Sequence, residues 1–384
     1  MDTMHERIGA LLTKRGMTHH DLAEAIGLER TKLTKSLNGR RQLGVAETAA
    51  ISDVLGVDML WLSTGSPSVT GMGLAMRHAF DQSTGAYLPP APEDRETLAL
   101  VDRAYRLAAD EAKAKESAMR FEAFRSKLAP ADDPGWDDVR RVAGQVGDAW
   151  RAWVKANSGG PLLVQLEGFL ETLGIDLVVV PSVHAGRAQT WALTVGGHHV
   201  LVVPTSTAWY SVVYGAFHEM AHFLYGHVGV PTGVQEPDKR IEAEKLANGF
   251  AADALVPLGD ARSFPGDADC SVYAQSCWEH FVGAATMSFR LGAAKRQVEV
   301  WSQPEVTDQW DRDHSEEQAE RSSAFETMRF PKWLVERHRT LVAAGTIRPD
   351  TLAEMVMVPV EDLEQPGEAS VSDEVQAMLD QWGV

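Results

Sequence analysis

The 384-residue chain is 44% hydrophobic and 23% charged, ordinary proportions for soluble globular packing, and this length predicts two or three domains with separate cores. Lys and Arg number 36 against 54 Asp and Glu, a net charge of −18 that argues against a broadly basic surface for nucleic acid or anionic lipid. No apolar run reaches membrane-spanning length, the polar start lacks a secretion signal, and two cysteines (Cys270, Cys277) are too few for a disulfide framework or a four-thiolate zinc site, so a cytoplasmic protein without a membrane partner is expected.

Charge is uneven along the chain. Residues 1–65 hold as many basic as acidic residues, so the negative excess falls on the remainder. Within them, Arg30, Lys32, Lys35, Arg40 and Arg41 face only Glu29, and charge alone reads that run as a solvated helix face. The apolar pattern adds more. Ile8, Leu11 and Leu12 suit a first helix. Thr18 is placed to N-cap a second helix through Leu22, Ala23 and Ile26, and Gly27 permits a tight turn. A third helix is predicted from about Glu29 to Leu37, with Leu33 and Leu37 inward and Arg30, Thr31, Lys32, Lys35 and Ser36 outward. Asn38-Gly39 is a stop signal, a fourth helix spans Val45 to Leu55, and Met59 to Leu62 closes the bundle.

The stretch from Met17-Thr18-His19-His20-Asp21-Leu22-Ala23 through Leu37-Asn38-Gly39-Arg40-Arg41 resembles the XRE (Cro/repressor-type) helix-turn-helix. That resemblance implies an all-α domain over 1–65 that binds a double-stranded DNA operator, often as a homodimer. It assigns base-edge reading to Arg30, Thr31, Lys32 and Lys35. His19 stands where the family usually has Gln, which would alter site preference. A helix-turn-helix that binds only protein is the alternative.

Residues 66–96 are rich in Gly, Pro, Ser and Thr and read as a linker, with a short helix expected near Leu74 to Phe80. Residues 97–158 read as a helical connector anchored in a core by Trp136, Trp150 and Trp153. After Gly159-Gly160-Pro161 the pattern predicts a helix over Leu162 to Leu173. Three short strands follow (Asp176 to Pro181, Thr190 to Val195, His199 to Pro204), then a helix from about Ala208 to Tyr225. A helix, a strand meander and a second helix make an α+β core over 159–260.

The second of these helices carries His218-Glu219-Met220-Ala221-His222, an HExxH motif. Imidazoles at i and i+4 project from one helix face, the geometry for two nitrogen ligands on one Zn²⁺, and the adjacent Glu219 is placed to act as general base toward a water. A third ligand is needed. Downstream, Ala247, Phe250, Ala251, Ala254 and Leu255 form a helical apolar stripe, and Glu244 lies on it. A carboxylate on a packed face is costly unless it is paired or binds metal. Asn248, one turn later, is placed to accept a hydrogen bond from a ligand histidine, whereas Glu242 points elsewhere. His198 and His199 read as strand residues. Tyr225 and His227 are the nearest candidates for an oxyanion donor. His227 as a third ligand fits the metzincin spacing poorly, coming five rather than six residues after His222.

His218-Glu219-Met220-Ala221-His222-Phe223-Leu224-Tyr225-Gly226-His227, followed by Glu244 through Pro257, resembles the ImmA/IrrE family of metallopeptidases. The resemblance implies a compact thermolysin-like core with His218, His222 and Glu244 as zinc ligands and Glu219 as catalytic base. Asp253-Ala254-Leu255-Val256 departs conservatively from the family's acidic residue, two leucines and methionine. An extended substrate would lie beside a sheet edge, the strand from His199 to Val203 being the candidate.

Residues 261–300 read as a small helical unit resembling a further helix-turn-helix, with Arg290 its one outward basic residue. Residues 303–323 are strongly acidic and read as a mobile loop or solvated helix, and residues 331–364 as helices, within an acidic and helical C-terminal region over 301–384. The expected architecture is mainly α with a small α+β zinc-peptidase core and an N-terminal all-α helix-turn-helix domain. The resemblances imply a transcriptional regulator with a zinc endopeptidase that cleaves a repressor-like protein. A non-proteolytic ligand or metal sensor, or half of a toxin–antitoxin module, are the alternatives.

Overall fold

The computed structural model describes residues 4–15, 17–38, 41, 43–55, 62, 73–76, 80–81, 86–87, 92–181, 190–228 and 237–363. The chain is mainly helical with a small sheet. Among the described residues no helix is long and apolar enough to cross a membrane. The chain divides into an N-terminal unit, drawn mainly from its first 73 residues, and a larger second unit.

The N-terminal unit has four helices: α1 (Met4–Arg15), α2 (His19–Ala25), α3 (Arg30–Leu37) and α4 (Val45–Val54). Ile8, Leu12, Leu22, Ala23, Leu33, Ile51, Leu55 and Leu62 bury together as its core. Thr18 caps α2 reciprocally with Asp21: the Asp21 amide donates to the Thr18 hydroxyl, and Thr18 N–H donates to the Asp21 carboxylate. Gly27 has φ +63°, the left-handed conformation that lets the chain turn between α2 and α3. Arg7 donates through Nε and Nη2 to the Leu62 carbonyl at 3.1 and 3.0 Å, tying α1 to the end of the unit. The closing segment expected from Met59 lies outside the described residues before Leu62, and Arg40 lies outside them too.

In the second unit, the helix expected near Leu74 to Phe80 is replaced by short strands β1 (Gly73–Met76) and β2 (Phe80–Asp81), the latter paired with β3 (Ala86–Tyr87). Helices α5 (Pro92–Ala108), α6 (Glu111–Leu128), α7 (Trp136–Ala156) and α8 (Leu162–Thr172) precede strands β4 (Ile175–Val180), β5 (Trp191–Val195) and β6 (His198–Pro204). The order in the main sheet is β1-β5-β6-β4.

This is not the expected meander. β5 folds back on β6 through Gly196-Gly197, both at positive φ as a two-residue hairpin turn requires, while β4 pairs with β6 in parallel. All six residues of β4 are buried, Asp176 among them, as in a strand covered on both faces. Its outer edge is closed at Val179, which exchanges two 2.8 Å backbone hydrogen bonds with Arg329. β6 is therefore paired on both sides, and the expectation that it offers an edge to an extended substrate is overturned.

Against the sheet packs α9 (Trp209–Leu224), and α10 (Pro237–Leu255) packs in turn against α9 and α7. Gly147 permits that contact: a Cβ there would sit 2.1 Å from the Ala254 carbonyl oxygen. Trp150 centres the core, edge-on to Phe169, Phe217 and Phe281. Trp153 is half-buried and donates to the Gln165 carbonyl. Trp136 departs from its expected core role. It is 51% exposed and lies over Gly249.

Beyond α10 come α11 (Leu258–Ser263), α12 (Cys270–Glu279), α13 (Ala284–Ala293), α14 (Gln303–Asp313), α15 (Ser315–Ser323), α16 (Lys332–Ala343), α17 (Asp350–Val356) and α18 (Val360–Leu363). The acidic segment 303–323 is thus two packed helices rather than a mobile loop. Val306 and Trp310, one turn apart, are buried, and Trp310 Nε1 donates to the Ala274 carbonyl. Arg290 is not outward either. It is 4% exposed, donates to the Val256 carbonyl, and pairs with Asp253 at 2.5 Å.

Candidate metal centre

α9 is buried along most of its length, with Trp209, Val212, Val213, Ala216, Phe217 and Met220 supplying its apolar cover. Burial of that cover carries His218, Glu219 and His222 inward, to 0%, 0% and 1% exposure. α10 packs against α9, and its Ala247, Phe250, Ala251 and Ala254, all at 0%, lie in the same core. This contact brings Glu244 to the two imidazoles. Glu242, two residues earlier, is exposed.

His218 Nε2 lies 3.2 Å from His222 Nε2 and 3.2 Å from Glu244 Oε2, and His222 Nε2 lies 3.5 Å from Glu244 Oε1. One ligand atom from each residue falls within 4.8 Å of the others, and the cluster could hold a metal ion. The rear of each ring supports that use. His218 Nδ1 lies 3.2 Å from Asn248 Oδ1, an acceptor, so Nδ1 carries the proton and Nε2 the lone pair. His222 Nδ1 lies 3.1 Å from His227 Nδ1. Burial pushes the His222 imidazole down to about 3, so it is held neutral, the form that ligates. Two imidazole lone pairs and a carboxylate converging in a dry space repel one another unless a cation lies between them. The donor set, two nitrogens and one oxygen, suits a divalent transition metal.

Asn248 is fixed in turn by its neighbour. Tyr214 donates from its hydroxyl to the Asn248 carbonyl at 3.0 Å. The Thr190 hydroxyl, entirely buried at the start of β5, donates to Glu219 Oε1 at 2.8 Å.

The two residues weighed as an oxyanion donor lie side by side just beyond α9. His227 sits behind His222, and burial lowers its imidazole below the usual value. Tyr225 stacks beside His227 with ring centroids 6.3 Å apart, its hydroxyl pKa raised by burial. His198 and His199 lie in β6, with His198 Nδ1 3.5 Å from the buried Asp176 carboxylate. Sequence reasoning missed Thr190, Tyr214 and the rearward role of His227. The short spacing from His222 to His227 was the one available signal.

In the N-terminal unit, Arg30, Thr31, Lys32 and Lys35 are exposed on α3. Ser36, expected beside them, is buried and accepts a hydrogen bond from Arg41. Arg41 is paired with Glu47 at 2.6 Å, so its charge is partly spent within the unit. No family model, no curated protein and no solved structure matches the chain.

Proposed function

We propose that this protein is a DNA-binding transcriptional regulator with a zinc-dependent endopeptidase, combining an XRE-type helix-turn-helix with an ImmA/IrrE-like core. The observation that carries the catalytic half is the convergence of His218 Nε2, His222 Nε2 and the Glu244 carboxylate beside Glu219. His218, His222 and Glu244 hold the ion, and Asn248 and His227 orient the two rings. When bound, Zn²⁺ supplies Lewis acidity toward a water and a peptide carbonyl. Glu219 takes the proton from the attacking water and delivers it to the leaving amine. The exposed basic face of α3 supports the DNA-binding half, with Arg30, Thr31, Lys32 and Lys35 facing the major groove and the protein substrate being repressor-like.

The complete burial of Glu219 favours a second reading, a metal or ligand sensor that does not cleave. Comparing wild type with Glu219→Gln decides between them. New protein N-termini that arise in cells expressing wild type and vanish with the variant, while zinc content and DNA binding persist, support the peptidase. Equal N-termini in both strains, with regulation intact, favour the sensor.

A further inference from the structure

Two features of the sequence look unrelated to the metal motif: a threonine before a strand and a glycine inside a helix. Thr190 is entirely buried. A buried hydroxyl is tolerated when it is hydrogen-bonded, and this one donates to Glu219 Oε1 at 2.8 Å. Gly215 lies one turn before Glu219 on α9, so both face the same neighbour. A Cβ at Gly215 would stand 2.5 Å from Thr190 Cγ2 and 3.1 Å from its Oγ1. Glycine inside a helix costs about 1 kcal/mol relative to alanine, and here it admits the threonine side chain to the helix surface. The helix gives up stability at the one place where that lets a donor reach the carboxylate one turn on.

We infer that Thr190 is a positioning residue for Glu219, its hydroxyl fixing the carboxylate's orientation, with Gly215 providing the space. The inference rests on the peptidase reading, in which Glu219 transfers the proton. A carboxylate on a two-bond stem has several rotamers, and one fixed donor selects among them. General-base catalysis depends on a geometry good to a fraction of an ångström. Thr190 touches no reacting atom and acts through Glu219 alone.

The test compares Thr190→Val, which keeps the shape and removes the donor, with Thr190→Ser, which keeps the donor. Gly215→Ala perturbs the same contact from the helix side. All are zinc-loaded, and casein is the substrate probe. The expected result is unchanged zinc content and KM in Thr190→Val, with kcat lower by about ten- to a hundredfold. Thr190→Ser should recover to within about threefold of wild type, and Gly215→Ala should share the Val defect. Crystal structures of the metal-free variants give a second readout, independent of turnover. The Glu219 carboxylate should rotate away from its wild-type position in Thr190→Val and hold it in Thr190→Ser. Undiminished kcat in Thr190→Val, equal loss in the Ser and Val variants, or an unmoved carboxylate overturns the inference while the peptidase reading stands. Failure of zinc-loaded wild type to cleave casein counts against that reading, and Thr190 then loses its positioning role with it.

Discussion

His227 Nδ1 lies 3.1 Å from His222 Nδ1, on the opposite side of that ring from the nitrogen facing His218 and Glu244. One of the two nitrogens must donate. For His222 to offer Nε2 to a metal, its own Nδ1 carries the proton and His227 accepts. In that arrangement His227 is to His222 what Asn248 is to His218, an acceptor that sets the tautomer of the ring. Each partner lost should weaken zinc binding by about 10- to 100-fold. Chelator competition on His227→Ala and Asn248→Ala checks this, and His227→Gln, which restores an acceptor, should lie nearer wild type. Wild-type affinity in both alanine variants would show that the rear contacts do not hold the ligands.

A metal that binds only the folded state adds its binding free energy to stability. At a free zinc concentration about 1,000 times Kd, that amounts to about 4 kcal/mol. For a unit of this size the gain corresponds to roughly 5–10 °C in Tm. Calorimetry with and without a chelator should show the difference, and Glu244→Ala should abolish it together with bound zinc. Full zinc occupancy in Glu244→Ala would remove Glu244 from the ligand set.

The local elements near the centre were readable because each follows from short-range periodicity. His218 and His222 share a face by the i, i+4 rule, and Glu244 stood out as a carboxylate on an apolar stripe. What failed was long-range. Nothing in the strands' own residues says that β4 pairs with β6 rather than β5. Nothing local to Arg290 says that Asp253, 37 residues earlier, lies against it. Of the two readings of the acidic segment 303–323, the helical one holds and the mobile loop fails, because Val306, Trp310 and Gln318 are buried on its two otherwise largely exposed helices. Thr190 escaped notice because a strand-leading threonine is ordinary until the fold sets a carboxylate against it.

The Arg290–Asp253 pair ties α13 to α10, the helix that presents Glu244, and its two side chains are 5% and 10% exposed. Removing one member leaves the other buried and uncompensated, a cost of about 3–5 kcal/mol. Arg290→Met should lower the urea midpoint accordingly. The double variant Arg290→Met/Asp253→Leu should recover much of the loss, because no charge then remains unpaired. A double variant as unstable as the single one would mean that the arginine's bond to the Val256 carbonyl, not the ion pair, carries the stability.

Glu167 on α8 pairs with Arg329, the residue that closes the outer edge of β4, at 2.8 Å. Burial raises its carboxyl from the ordinary 4.5 to about 6, against the downward pull of the Arg329 guanidinium. The folded state thus holds this proton more tightly than the unfolded chain. Below pH 4.5 both states are protonated and the full contribution is present. As pH rises through about 6 the unfolded chain has ionised freely while the folded protein must ionise a buried group, and the contribution is lost. The difference between the two states corresponds to about 2 kcal/mol. Urea unfolding of the metal-free protein at pH 4.5 and 7 should therefore show wild type losing about 2 kcal/mol relative to Glu167→Gln across that range. The metal-free form keeps zinc-linked protons out of the comparison. A difference between the two proteins that stays constant with pH would mean that Arg329 fully offsets the burial of Glu167.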